Sequence, residues 1–223
     1  MKTGECYLCG EIKELTDDHV PPKSLFPQPI TEKYQLITVK ACFDCNNSWG
    51  EKEKKLIHDL TIVGESKDAQ KVFESNTREN YMKGFWKRGG PSKDYFNIIS
   101  RMKRTNLKTD SGIILPKKVT IFNIPKDRDE VLVKIGKGLH RKFKGKRLST
   151  KIFSNVIMRV PLIQDNFFDL YKACSVKRTF GETFTFAGGF PTDNENVSFW
   201  FLGFYTNMDF LVLLSDIPLP ERK

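Results

Sequence analysis

The sequence predicts an α+β fold in two parts, a small N-terminal domain over residues 1–62 and a larger α+β domain over residues 63–223. Four of the five cysteines fall in the first part, in two close pairs. The charge also changes along the chain: residues 1–60 hold 8 Lys/Arg and 10 Asp/Glu, whereas residues 83–147 hold 19 Lys/Arg and 5 Asp/Glu. Alternating apolar segments near the C-terminus predict an antiparallel sheet in the second part.

The cysteine pairs have the spacing of a metal site. Cys6 and Cys9 form one C-x2-C pair, and Cys42 and Cys45 form a second. Each pair can bind one side of a tetrahedral zinc ion, and four thiolates complete a closed, structural site. Two chance pairs or a redox dithiol are the alternatives, but a single redox pair would leave the other pair unexplained. Cys174 lies alone in an apolar segment and is predicted to be a small buried side chain.

The residues between and after the cysteine pairs predict two strands and a helix. Pro21, Pro22 and Pro27 exclude a helix after the stretch TDDHV and force extended or turn backbone. Residues 34–42 alternate and are rich in β-forming types, so they predict a strand. A helical pattern follows over residues 46–63, with Asn46 or Asn47 as its N-cap. The predicted order is therefore strand, strand, helix.

The second part predicts a mixture of helices and strands. A break in the helical pattern is expected at KRGGPS, residues 87–92. Gly136 and Gly138 weaken one of the predicted helices. Helices are predicted over 66–85, 93–104, 127–145 and 166–176, and strands over 114–125, 149–161, 182–190, 196–205 and 208–217.

Two features bear on the compartment. The sequence has no apolar run of about 18 residues, so no membrane span is expected. Its first residues, MKTGECYLCGE, lack the apolar run of a signal peptide. We therefore expect a cytoplasmic, reducing environment, in which cysteines bind metals more often than they form disulfides.

The motifs of the first part also occur together in one family. The stretch DHVPPK at residues 18–23 lies between the two cysteine pairs, and the second pair runs directly into Asn46 and Asn47. This combination resembles the zinc-knuckle branch of the HNH endonucleases over residues 5 to about 60, roughly a quarter of the chain. The resemblance implies a zinc-stapled ββα-metal finger that hydrolyses DNA phosphodiester bonds.

The same resemblance implies roles for particular side chains. His19 matches the general base that takes a proton from the attacking water, and Asp18 and Asn46 match the ligands of one catalytic divalent ion. Oxygen ligands favour Mg²⁺ or Mn²⁺. Elementary chemistry agrees, because imidazole titrates near neutral pH and a divalent ion can stabilise the leaving oxygen. Since consecutive strand residues point to opposite sides, Asp18 and His19 need a local twist to share a site.

Three positions depart from the family pattern or extend it. Gln35 stands where the family has an asparagine that aims the base, and it is carried over in that role. Gly50 stands where other members have a helix histidine, and it cannot bind a metal. Glu53 lies seven residues after Asn46 on the same face of the predicted helix. It either reaches the metal, directly or through water, or is a solvated surface glutamate.

The basic middle of the chain predicts a surface that binds DNA phosphates, which gives affinity without sequence choice. His140 is expected to belong to the same surface. A purely soluble basic face is the alternative. The residues assigned to nucleic-acid contact are Lys23, Arg141, Lys142, Lys144, Lys146 and Arg147.

The sequence favours a metal-dependent HNH endonuclease with a structural zinc ion, a catalytic Mg²⁺ or Mn²⁺ and DNA as partner. The resemblance also implies a role in restriction or anti-phage defence. A zinc-containing DNA-binding protein without catalysis is the main alternative, and a zinc-stapled protein–protein module is a third. A protein partner or a homodimer stays open.

Overall fold

The computed structural model of the protein describes residues 2–30, 34–79, 82, 90, 93–109, 111–149, 151–158, 165–191 and 194–218. Helices and antiparallel sheets both occur among these residues, so the predicted α+β class is confirmed. Within the described ranges, no helix combines the length and the apolar character that a membrane crossing requires.

A three-stranded antiparallel sheet forms the N-terminal part. Strands β1 (Lys2–Glu5), β2 (Ile12–Val20) and β3 (Ile37–Cys42) lie in the order β1-β2-β3. Strand β2 contains the predicted extended segment, and its Asp18 and His19 lie opposite Val39 and Thr38 of β3. Strand β1 is an addition to the predicted order, formed because the first cysteine pair turns the chain back between β1 and β2.

Helices follow the second cysteine pair. Helix α1 (Phe43–Ser48) begins directly after Cys42, which is its N-cap, so the prediction of an asparagine cap is wrong. Helix α2 (Gly50–Val63) follows after Trp49, and α3 (Lys67–Val72) begins at a Ser66 cap and continues into a π-helical turn, Phe73–Arg78. The rest of the helix predicted over 66–85, and most of the break predicted at 87–92, fall on residues 80, 81, 83–89, 91 and 92, outside the described residues.

A short helix and a two-stranded ribbon come next. Helix α4 (Lys93–Ile99) ends before β4 (Met102–Lys108), which pairs antiparallel with β5 (Ile114–Phe122). The helix predicted over 93–104 is therefore wrong at its C-terminal end. The backbone N–H and C=O groups of residues 102–108 instead find their hydrogen-bond partners by pairing with β5. Helical periodicity cannot reveal such a partner.

The remaining elements form one long helix against a five-stranded sheet. Helix α5 (Asp129–Lys144) follows a 3-10 turn, Lys126–Arg128, and α6 (Asp165–Lys172) precedes the strand that closes one edge of the sheet. Residues 159–161 of the strand predicted over 149–161 lie outside the described residues. The antiparallel order is β6-β10-β9-β8-β7, from β6 (Phe153–Met158), β7 (Val176–Phe180), β8 (Phe184–Gly189), β9 (Ser198–Phe204) and β10 (Met208–Ser215).

One hydrophobic cluster contains buried side chains from both predicted parts, including Val20 and Leu25 from the first and Trp200 and Tyr205 from the second. The Tyr205 hydroxyl donates to the Leu25 carbonyl at 2.7 Å. Helix α5 also approaches β2 closely, because a Cβ on Gly138 would lie 2.5 Å from Val20 Cγ2. Gly138 therefore permits this packing, and the division near residue 62 stays a prediction from sequence.

Candidate metal centre and active site

The four paired cysteines converge on one point. The Sγ atoms of Cys6, Cys9, Cys42 and Cys45 all lie within 4.8 Å of one another. Cys9 Sγ and Cys42 Sγ are 4.0 Å apart, near the separation of about 3.8 Å that tetrahedral Zn–S bonds of about 2.3 Å require. The cluster could therefore bind a metal ion such as zinc, as the cysteine spacing predicts.

The backbone around the cluster stabilises negative charge on sulfur. Burial alone raises the pKa of the Cys6 thiol, but backbone hydrogen bonds from Cys9, Cys42 and Leu8 lower it to about 7. Burial raises the pKa of Cys45, which lacks such a set of amide donors. A thiolate is the form that binds metal, so the amides of the two turns suit Cys6 to that role.

A cavity of about 480 Å³ has Asn46, the residue that follows Cys45, in its wall. Strand β2, helices α1 and α2, the 3-10 turn Lys23–Leu25 and the π-helical turn all contribute to its wall. The structure thus gathers residues that are far apart in sequence around one space. The wall includes the predicted site residues Asp18, His19, Lys23 and Asn46, together with Glu53.

Asp18 is buried and held by two side chains. It is 4% exposed, and its Oδ2 accepts a hydrogen bond of 2.8 Å from the Tyr7 hydroxyl. The ammonium Nζ of Lys134 lies 2.8 Å from the same oxygen. Tyr7 belongs to the first cysteine turn, and Lys134 belongs to α5. The Asp18 carboxylate on β2 is therefore fixed by side chains from two other elements.

Lys134 also joins Asp18 to Glu53. Its Nζ lies 2.5 Å from Glu53 Oε1, and the Glu53 side chain is only 16% exposed. Burial raises the pKa of Glu53, against the opposing effect of Lys134. The alternative of a solvated Glu53 is therefore wrong. Two carboxylates share one ammonium, so the ionised cluster keeps one negative charge beside the cavity.

Asn46 is oriented by β2. Its Nδ2 donates to Thr16 Oγ1 at 3.1 Å and to the Asp17 carbonyl at 3.3 Å. Among the described residues no donor contacts its Oδ1, so this oxygen is available to a ligand in the cavity. The amide oxygen of Asn46 and the carboxylates of Asp18 and Glu53 are hard oxygen donors, and all three residues line the cavity.

His19 is half-buried on β2 and lines the cavity with its neighbour Asp18. Gln35 is exposed, precedes β3 by two residues and is not among the residues that line the cavity. The structure therefore brings together the base and the metal ligands that the resemblance implies, but not Gln35. Its role in aiming His19 stays a prediction.

The basic residues in the last turn of α5 and directly after it are largely engaged within the chain. Arg141 and Arg147 contact Glu5 at 3.4 Å and 3.3 Å. Lys146 pairs with Glu195, and Lys144 lies 5.1 Å from the Phe190 ring centroid. Lys142 is exposed and Lys23 is at the cavity. The assignment of these residues to DNA contact stays a prediction.

His140 does not belong to the basic surface, contrary to the prediction. It is 0% exposed, and its Nδ1 is 2.9 Å from Ser198 Oγ. Burial lowers the pKa of His140 to about 4. The apolar periodicity of α5 places the helix face with His140 in the core. The neighbouring arginine and lysine residues make this periodicity hard to recognise in the sequence. The prediction of a buried Cys174 is confirmed.

Sequence reasoning did not identify Tyr7 and Lys134. The only signal for Tyr7 is its place between two ligand cysteines. Lys134 carries a clearer one, because it interrupts the buried face formed by Val131, Leu132 and Ile135. A lysine at a core-facing helix position implies a buried partner of opposite charge.

Comparison of the chain with protein-family models, with curated proteins and with solved structures finds no significant match. The functional argument therefore depends on the cavity and the cysteine cluster themselves.

Proposed function

We propose that the protein is a metal-dependent HNH-type endonuclease that hydrolyses DNA phosphodiester bonds. The observation that carries the proposal is the cavity lined by Asp18, His19 and Asn46, in a chain whose four paired cysteines also converge. Strands β2 and β3 followed by α1 and α2 also have the element order of a ββα-metal finger. On this proposal the four cysteines hold a structural zinc ion, because a closed set of thiolates leaves no position for substrate.

The chemistry assigned to the cavity needs a base and a cation. The ring of His19 would take a proton from water, whose oxygen then attacks phosphorus while the bond to the leaving sugar oxygen breaks. Asp18 and Asn46 would hold Mg²⁺ or Mn²⁺ through oxygen atoms, and Glu53 lies beside them. Such an ion neutralises charge on the phosphate and stabilises the leaving oxygen. The hard oxygen donors and the uncompensated negative charge of the cluster fit a divalent cation.

DNA is the proposed substrate because the chain carries a net charge of +10 and Lys23 lies at the cavity. The exposed Lys142 and its basic neighbours are proposed as phosphate contacts. We place the activity in restriction or anti-phage defence, as the resemblance implies, and in the cytoplasm, as the sequence predicts. The proposal also leaves room for a protein partner or a second copy of the chain.

Plasmid cleavage tests this function. Wild-type protein with Mg²⁺ or Mn²⁺ should convert supercoiled DNA to nicked or linear forms, and chelation of the added ion should stop the reaction. His19→Ala should abolish cleavage while zinc content and melting temperature stay unchanged. Lys52→Ala is the matched control, since Lys52 pairs with Glu130 at the surface. Normal cleavage by His19→Ala would remove His19 from the mechanism.

A DNA-binding protein without catalysis is the second candidate. The observation that favours it is the ion pair between Lys134 and Asp18, because it already supplies a cation to the proposed metal ligand. Protein that binds DNA but stays inert with every divalent ion would establish this second function. Cleavage lost in His19→Ala would exclude it.

A further inference from the structure

The ribbon of β4 and β5 is a surface that the proposed active site does not use. The two strands pair with each other and with no third strand in the part of the chain that the structure describes. Between residues 101 and 123 the sequence contains six Lys/Arg and one Asp. The ribbon is thus an exposed basic projection rather than the edge of a larger sheet.

One face of the ribbon carries polar and basic side chains. The register places Arg104 opposite Thr120 and Asn106 opposite Lys118. Because alternate residues of a strand share a face, all four side chains point the same way, and all four are exposed. Lys108 follows beyond a bulge in β4.

Within the described ranges, the cations of this face have no acidic partner. No ion pair among the described residues involves Arg104, Lys108 or Lys118. Arg141 and Arg147, by contrast, contact Glu5. The ribbon therefore presents its positive charge to solvent more fully than these two arginines at the end of α5 and after it do.

The base of the ribbon is fixed to α2. Arg101 contacts Asp59 through two nitrogens, at 2.6 Å and 2.9 Å, and Arg128 Nε lies 2.9 Å from the same carboxylate. Asp59 is 1% exposed. It lies six residues after Glu53 on the same helix, about 9 Å along the axis. The ribbon is thus joined through one helix to the wall of the cavity.

We propose that the face formed by Arg104, Asn106, Lys118 and Thr120 binds the major groove of double-stranded DNA. That groove is about 12 Å wide and admits a two-stranded β-ribbon. Arginine and asparagine can each make two hydrogen bonds to a base edge, while lysine and threonine contact phosphates. The deep, narrow major groove of duplex RNA excludes such a ribbon. The inference rests on the proposed function only in taking DNA as substrate.

The ribbon also carries exposed apolar side chains, which would suit a different binding partner. Ile113, Ile114 and Ile121 are exposed by 54–61%, and a second copy of the chain could cover them. The charge of the polar face argues for DNA, because two copies of this ribbon would bring like charges together.

Fluorescence anisotropy with full-length protein and a labelled DNA duplex of about three helical turns tests the proposal. The ribbon variant is Arg104→Glu with Lys118→Glu. The control, with the same charge change, is Lys177→Glu with Arg178→Glu on β7, at the edge of the five-stranded sheet. The ribbon variant should lose at least about tenfold in affinity at low salt, and the slope of log affinity against log salt should fall by about 1 for the lost phosphate contact of Lys118. The control should change affinity by less than about twofold, and both variants should keep the wild-type melting temperature.

Each other outcome overturns the inference. Equal loss in both variants would mean that net charge alone matters, and no loss in the ribbon variant would place the DNA elsewhere. Duplex RNA bound as tightly as duplex DNA would exclude groove recognition. A changed oligomeric state in sedimentation, with DNA affinity intact, would assign the ribbon to self-association. Because binding is measured without added divalent ion, loss of affinity in the ribbon variant supports the inference even where the plasmid assay fails.

Discussion

Lys134 Nζ lies 2.8 Å from Asp18 Oδ2, across 116 residues of sequence. This contact joins α5 to β2 at the proposed catalytic carboxylate, and the same ammonium holds Glu53. Lys134→Met should therefore leave two largely buried carboxylates without their cation. We expect a loss of about 3–5 kcal/mol in the free energy of unfolding, measured with urea at neutral pH.

Lys52→Met is the matched control for that measurement. Lys52 forms its ion pair with Glu130 at the surface, where both side chains are about half exposed, and an exposed pair contributes about 0–1 kcal/mol. Millimolar Mn²⁺ should restore more stability to Lys134→Met than to wild type, because it replaces the missing positive charge. Equal destabilisation by the two variants would contradict the burial argument.

The cysteine cluster predicts about one tightly bound zinc ion per chain. Elemental analysis of purified protein should find it, and Cys42→Ser should lose it together with a cooperative unfolding transition. Cys174→Ser should keep it, since Cys174 lies away from the cluster in a separate hydrophobic group. Zinc retained by Cys42→Ser at the wild-type level would exclude a four-thiolate site.

His140 predicts a pH dependence of stability. Its pKa falls from 6.5 to about 4 on burial, so the unfolded chain binds more protons than the folded one between these values. The stabilisation is complete above pH 6.5 and is lost as the pH falls toward 4. Between pH 7 and pH 5 the loss from this group is about 2 kcal/mol. Urea titrations of wild type and His140→Asn should differ in pH dependence by that amount, and parallel curves would be the contrary result.

Substitution of Gly138 by alanine should destabilise the protein, although alanine favours a helix more than glycine does. Alanine at Gly138 would bring a Cβ within 2.5 Å of Val20 Cγ2, so Gly138→Ala should destabilise the protein by about 1–3 kcal/mol despite its better helix propensity. At Gly50, within α2, a Cβ meets nothing within 4 Å. Gly50→Ala should therefore be neutral or slightly stabilising. Thermal unfolding of the two variants checks the contrast, and the same sign for both would refute it.

Local spacing explains why parts of this structure are predictable. Each C-x2-C turn brings its own two sulfur atoms together by geometry contained in a few residues, and the tetrahedral metal chemistry of two such pairs predicts that the four thiols converge. The proline-rich stretch likewise excludes a helix and gives β2. The contacts of Lys134 with Asp18 and of Arg141 with Glu5 span 116 and 136 residues. Helical and strand periodicity carries no information at that range.

The β4–β5 ribbon is a second case in which local sequence does not predict the structure. Residues 100–104 read as a helix because their letters suit one, but pairing with β5 decides their conformation. The sequence shows the basic composition of residues 83–147. It does not show which of these charges are ion-paired and which are not. That division depends on where Glu5, Asp59 and Glu195 lie in the fold.

Tyr7 gives the cysteine cluster a second consequence. Its hydroxyl holds Asp18, and its backbone lies between two of the thiols that would bind zinc. Metal occupancy and the position of the proposed catalytic carboxylate should therefore be coupled. On the proposed function, withdrawal of zinc should reduce the number of molecules in which Asp18 is correctly placed and leave the turnover of the remaining molecules unchanged.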